Sequence, residues 1–252
     1  MRRPKLNVAA QVMTVVAGLL AMFTKDAREL YVQQVQLPMW SLLVIAVGAW
    51  IGISWALSRG RTVGAHDTAE LQAIRIGDTI RLLHRLTGFA LHSNHALYSH
   101  PGSSKQQQVT AFGGADLNDS WVVKAQNGFG DTTRRGRVVS HGDIIRLEHR
   151  NTRKNLHSHR GAPSPVTGQQ EVTAFGTDGV GDTNDNWRVD ISQRGFWKEE
   201  VPVRLIHVES ECALHSHRGF AHPQYTLGQQ EVTCFAQRDE NDFWFAVKVD
   251  DE

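Results

Sequence analysis

Gly77-Asp78-Thr79-Ile80-Arg81-Leu82-Leu83-His84 returns 65 residues later as Gly142-Asp143-Ile144-Ile145-Arg146-Leu147-Glu148-His149, and a looser third copy follows as Pro202-Val203-Arg204-Leu205-Ile206-His207. Seven residues beyond each of these histidines stands a second block, Leu91-His92-Ser93-Asn94, Leu156-His157-Ser158-His159 and Leu214-His215-Ser216-His217. A third block begins at Gln106, Gln169 and Gln229 and reads Gln-Gln-(Gln/Glu)-Val-Thr-(Ala/Cys)-Phe. Each copy then closes on Asp-x-Asn-Asp-x-Trp, at Asp116–Trp121, Asp182–Trp187 and Asp239–Trp244. Four blocks in one order, three times, define a repeat; matched tryptophans lie 66 and 57 residues apart, so the unit is close to 60 residues long.

Within each unit the period is two. Ile80, Leu82 and His84 alternate with Thr79, Arg81 and Leu83, which puts the first set on one face of a strand. Val109 and Ala111 alternate with Thr110 and Phe112, and Trp121, Val123 and Ala125 share a face. Gly, Pro, Asn, Asp and Ser separate the runs as turn formers. The reading is all-β, with three or four short strands per repeat and repeats at about 74–126, 138–191 and 201–249. Three such units must share one core, and a closed threefold barrel removes exposed strand edges better than an open stack.

These blocks together resemble the MIR domain, a module found in protein mannosyltransferases, inositol trisphosphate and ryanodine receptors, and stromal-cell-derived-factor-like proteins. The resemblance covers about residues 73–250 and implies a twelve-stranded β-trefoil that is noncatalytic and binds ligands or partners. Two departures stand out. Asn94 replaces the second His of the first copy, and Pro202 stands where a Gly-Asp pair opens the other two.

Several residue groups invite a chemical reading. His84, His149 and His207 would form a three-imidazole zinc site if the repeat axis brought them together. The competing expectation is that each sits in equivalent surroundings inside its own repeat, bonded to backbone or polar neighbours. Repetition alone accounts for their positions, so no metal and no cofactor is expected. The Asp-x-Asn-Asp-x-Trp segments lack the sixth-position Gly and distal Glu of a calcium loop, and are read as Asx turns before the Trp strand. No phosphate-binding loop and no Gly-x-Ser-x-Gly elbow occurs, so catalysis is not expected. Cys212 and Cys234 are too few for a disulfide framework or a four-thiolate site. Cys234 fills the slot of Ala111 and Ala174, which suggests a small buried thiol.

A symmetric scaffold carries its specificity where the copies differ. The variable segments are 95–105, 160–168 and 218–228, from which Tyr98, Arg160, Arg218, His222 and Tyr225 are expected to bind a glycan, small metabolite or peptide.

The N-terminal part is of another kind. Residues 39–57 are free of charge and long enough for a bilayer core, with Trp40 and Trp55 near the ends, and are read as a transmembrane helix. Residues 8–23 fit a first span, a signal peptide or a surface helix, so the anchor occupies 1–57 with one or two spans, and 58–72 form a linker. With two spans, basic flanks place Arg2, Arg3, Lys5, Arg59 and Arg61 inside, and the trefoil with them on the cytoplasmic side. The chain carries 27 Lys and Arg against 26 Asp and Glu, but seven of the basic and two of the acidic residues precede residue 62, leaving the remainder near −4. That sign excludes a general nucleic-acid binder. The expected function is a membrane-anchored recognition module. The alternatives are an accessory partner of a membrane glycosyltransferase and, from another class, a metal-dependent enzyme.

Overall fold

The computed structural model describes residues 72–128, 134–221 and 223–249. The expected spans at 8–23 and 39–57 lie outside the described residues, as does His222. Among the described residues, no helix is long and apolar enough to cross a membrane.

Twelve strands follow in order: β1 (Thr79–His84), β2 (Ala90–Leu97), β3 (Gln107–Phe112), β4 (Trp121–Ala125), β5 (Ile144–His149), β6 (Asn155–Pro163), β7 (Gln170–Phe175), β8 (Trp187–Ile191), β9 (Val203–His207), β10 (Ala213–Ala221), β11 (Gln230–Phe235) and β12 (Trp244–Lys248). Each repeat supplies four. The first and fourth of every repeat close a six-stranded antiparallel ring, β1-β4-β5-β8-β9-β12 and back to β1. The second and third form hairpins whose inner strands pair around a triangle, β3 with β7, β7 with β11 and β11 with β3. A barrel capped by three hairpins is a β-trefoil. The closed ring leaves no barrel edge to aggregate.

The motifs are the joints of this arrangement. Trp121, Trp187 and Trp244 are fully buried, and each indole donates 2.9 Å to the carbonyl of Leu91, Leu156 or Leu214, tying the last strand of a repeat to its Leu-His-Ser block. The Ser of that block bonds the facing strand: Ser93, Ser158 and Ser216 donate to the carbonyls of Gln108, Glu171 and Glu231. The first Gln of the third block reaches the next repeat, where Gln106 accepts from Thr173, Gln169 from Thr233 and Gln229 from Thr110. Those Thr side chains face opposite to Val109 and its equivalents, yet both faces of β3, β7 and β11 are buried, because the hairpins pack on one another as well as on the barrel.

At the other end of the barrel three peptides close a second ring. Ile74 N–H donates to Trp197, Trp197 N–H to Val139 and Val139 N–H to Ile74, at 2.8–2.9 Å, with all three side chains buried as a plug. The Gly-Asp openings follow from a tight entry into the strand. Gly77 and Gly142 adopt φ of 99° and 84° and donate to Val123 and Val189, and Asp78 and Asp143 accept from Arg75 and Ser140 backbone. In the third repeat Glu200 takes that position at φ 58°, donating to Ala246, and Val201-Pro202 replaces the Asp and the residue after it.

The cysteines differ from expectation. Cys234 is not a free thiol but is joined to Cys212 by a disulfide with a Cα–Cα distance of 5.2 Å. The hairpin register explains it: Leu214 faces Cys234 across β10 and β11, which brings the residue at 212 within reach of the same sulfur. Aligning Cys234 with two alanines concealed that reach, because Cys212 falls in the slot of Phe89 and Lys154.

Candidate functional site

The histidines of the first block do not meet. His84 Nε2 lies 3.0 Å from the Asn241 carbonyl, His149 Nε2 3.0 Å from Asn118 and His207 Nε2 2.9 Å from Asn184, each crossing to the neighbouring repeat. A carbonyl only accepts, so Nε2 carries the proton and Nδ1 is the acceptor for the hydroxyl of Thr87, Thr152 or Ser210. Burial pushes His84 and His149 down to about 4 and lowers His207. All three are neutral struts between repeats. Because an unfolded His titrates near 6.5, the contribution of His84 and His149 is whole above that pH and is lost as pH falls toward 4, and His207 titrates in the same direction.

The Asp-x-Asn-Asp segments form 3-10 turns at Leu117–Asp119, Thr183–Asp185 and Glu240–Asp242, each with a capping box. The second Asp is fully buried and holds the histidine of the Leu-His-Ser block, with Asp119–His92, Asp185–His157 and Asp242–His215 all at 2.9 Å to Nδ1. The remaining carboxylate oxygen accepts the N-cap N–H in every copy and has a different side-chain neighbour in each. Arg81 donates to Asp119 at 3.0 Å, Asn155 to Asp185 at 3.2 Å, and Arg204 lies 3.6 Å from Asp242. Desolvation raises Asp185.

From this buried dyad a polar path runs outward. His157 Nε2 is 3.3 Å from His159 Nδ1, and His215 Nε2 is 3.2 Å from His217 Nδ1. Burial lowers the outer imidazoles, and the neighbouring His adds to it. In the first repeat Asn94 takes the outer place at 3.4 Å and turns its carbonyl to Ala96 N–H. Beyond the outer histidines the hairpins bulge out of register, between Ser158 and Pro163 and between Ser216 and Ala221. Those bulges carry exposed Arg160-Gly161 and Arg218-Gly219, the glycines at φ 97° and 86°. The third repeat adds Phe220, 39% exposed, with its ring 3.8 Å from that of His217.

The expected ligand residues therefore divide. Arg160 and Arg218 occupy equivalent exposed bulges of different repeats. Tyr98 is corrected: it is 1% exposed and its hydroxyl donates to the Val109 carbonyl, so it belongs to the cap between hairpins. Tyr225 is half-buried in that same cap, edge-on to His100 at 5.4 Å. The i, i+2 spacing in Leu-His-Ser-His puts both imidazoles of a pair on one strand face, so His159 and His217 are legible in the sequence as partners of His157 and His215, but neither they nor Phe220 are among the expected ligand residues.

The sequence pattern of the MIR domain matches residues 97–246. The chain belongs to the MIR domain family. A stromal cell-derived factor 2-like protein of Arabidopsis thaliana is 40% identical over 177 residues, covering 69% of this chain and 78% of that protein. The crystal structure of the SDF2-like protein from Arabidopsis thaliana superimposes with a TM-score of 0.64 at 38% identity, over 69% of this chain and 94% of that one. Protein O-mannosyl-transferase 2 of Drosophila melanogaster is 31% identical along an alignment of 262 positions that covers 95% of this chain but only 34% of that protein. In this MIR domain the motifs that carry the match are joints of the trefoil, and the three copies differ within them at a few places, Asn94, Cys234 and Glu200-Val201, and more widely beyond them.

Proposed function

We propose that this MIR domain is a noncatalytic recognition module whose second and third repeats bind a glycan at the hairpin bulges. The observation that carries the reading is the arrangement in the third repeat, where exposed Phe220 stacks on His217 beside Arg218, backed by the buried His215–Asp242 pair. An apolar ring face suits the C–H face of a sugar, and fixed polar groups beside it suit its hydroxyls. The second repeat offers His159 and Arg160 without the aromatic. The charge-free sequence at 39–57 supports a membrane anchor. The Cys212–Cys234 disulfide supports an oxidising compartment for the trefoil, against the cytoplasmic side that the basic flanks favour.

The test is a glycan array followed by calorimetry on the full chain in detergent. Phe220→Ala and Arg218→Ala are expected to weaken the best glycan at least tenfold, and Arg160→Ala to weaken it less. Silence across the array would sink the glycan reading. It would favour the second one, an accessory partner of a membrane glycosyltransferase, which the 31% identity to a protein O-mannosyl-transferase along 95% of this chain supports.

A further inference from the structure

The third repeat holds one group of side chains that the other two lack. His207, Cys212 and Cys234 are all buried, and His207 nitrogen and the two sulfurs lie within 4.8 Å of one another. The equivalent places in the first repeat hold His84, Phe89 and Ala111, and in the second His149, Lys154 and Ala174, so only here do two sulfurs flank the strut histidine. Ser210 replaces the threonines at 87 and 152; its hydroxyl is 2.6 Å from His207 Nδ1 and 2.9 Å from Cys212 Sγ, and also accepts from Gln170 at 3.0 Å.

From this geometry we infer that reduction of the Cys212–Cys234 disulfide opens a zinc-class metal site, with the two thiolates and His207 Nδ1 as ligands and Ser210 Oγ or a water in the fourth position. The imidazole is already prepared for it. Its Nε2–H is committed to the Asn184 carbonyl at 2.9 Å, which fixes the tautomer and is the outer partner that metal-bound histidines use; the Nδ1 lone pair accepts from Ser210 Oγ, which itself lies 2.9 Å from Cys212 Sγ, and the metal would take the place of that hydroxyl proton. A tetrahedral ion with bonds of about 2.0–2.3 Å needs its donors roughly 3.3–3.8 Å apart, and the present donors already lie within 4.8 Å of one another, so the site requires only that the freed cysteine side chains turn apart. Two sulfurs and one imidazole select a borderline-soft ion over calcium or magnesium.

The chemistry balances. A dithiol reductant gives two electrons and two protons to the disulfide, yielding two thiols and its own disulfide. The metal then displaces both thiol protons to solvent. Oxidised protein has no thiolate to offer, so the same atoms are either a covalent staple of the third hairpin or a metal site, never both.

The full chain in detergent tests this. After reduction with a phosphine that does not chelate metal, it is dialysed against zinc or cobalt, and bound metal is counted. The expected result is about one ion per reduced chain and thiolate-to-cobalt charge-transfer absorption, with both absent from the oxidised chain. Cys234→Ala installs the residue that the other repeats use, so the fold is kept, and His207→Asn removes the nitrogen ligand. Each is expected to weaken the reduced site at least tenfold. Equal metal in oxidised protein, no metal in reduced protein, or full retention by Cys234→Ala would each overturn the inference.

Discussion

The first and third hairpins share a ladder and differ in how they are fastened. Leu91 faces Ala111 in one and Leu214 faces Cys234 in the other, in the same register, and each is followed by a histidine held 2.9 Å from a buried aspartate. In the first, the outer polar place is Asn94, folded back onto its own backbone, and the cap is filled by buried Tyr98. In the third, the outer place is His217 under Phe220, and a disulfide ties the strands behind it. The comparison separates two layers. The Trp–Leu, Ser–carbonyl and His–Asp hydrogen bonds recur in every copy, whereas the strand entries and the groups that face outward or fill a slot are free to change.

Removing the shared dyad is expected to cost most and to cost the copies alike. Asp242→Ala and Asp119→Ala each strand a buried histidine and unmake a capping box, at about 3 kcal/mol or more in chemical denaturation. A large effect in one copy alone would mean that the dyads are not equivalent. The disulfide, by contrast, belongs to the third hairpin only. Cys212→Ser with Cys234→Ala is expected to cost about 3 kcal/mol, since the bond spans 22 residues, and to speed hydrogen exchange in β10 and β11 more than in β2 and β3. Uniform loosening of all three hairpins would break the comparison. The smallest effect is at the strand entries. Glu200→Gly is expected to raise stability by about 0.5–1 kcal/mol by relieving a left-handed side-chain residue, and Gly142→Ala, whose added Cβ meets nothing within 4 Å, to lower it through backbone alone.

The barrel was legible in the sequence because its cause is periodic. Ile80, Leu82 and His84 alternate, recur twice more, and are buried as a set. The Asx turns were legible too, since one Asp must cap before a Trp strand can start. Two things were not. A disulfide depends on register between β10 and β11, which spacing along the chain does not contain. The burial of Tyr98 depends on three hairpins meeting, so a residue in a variable segment looked like surface until the packing around it was known. The exposed arginines could be named, but not which aromatic would stand beside them.

The barrel closes by pairing β1 with β12, Ile80 against Lys248, so one edge of the earliest strand of the trefoil waits for the last. A chain emerging from the ribosome can pair β1 with β2 and β4 early but leaves its β12 edge unpaired until the end of the domain is made, and no product lacking β12 can complete the ring. The same symmetry that leaves the finished barrel without an edge makes its unfinished forms all edge. The pairing that removes the barrel's last edge is therefore the one that synthesis supplies last.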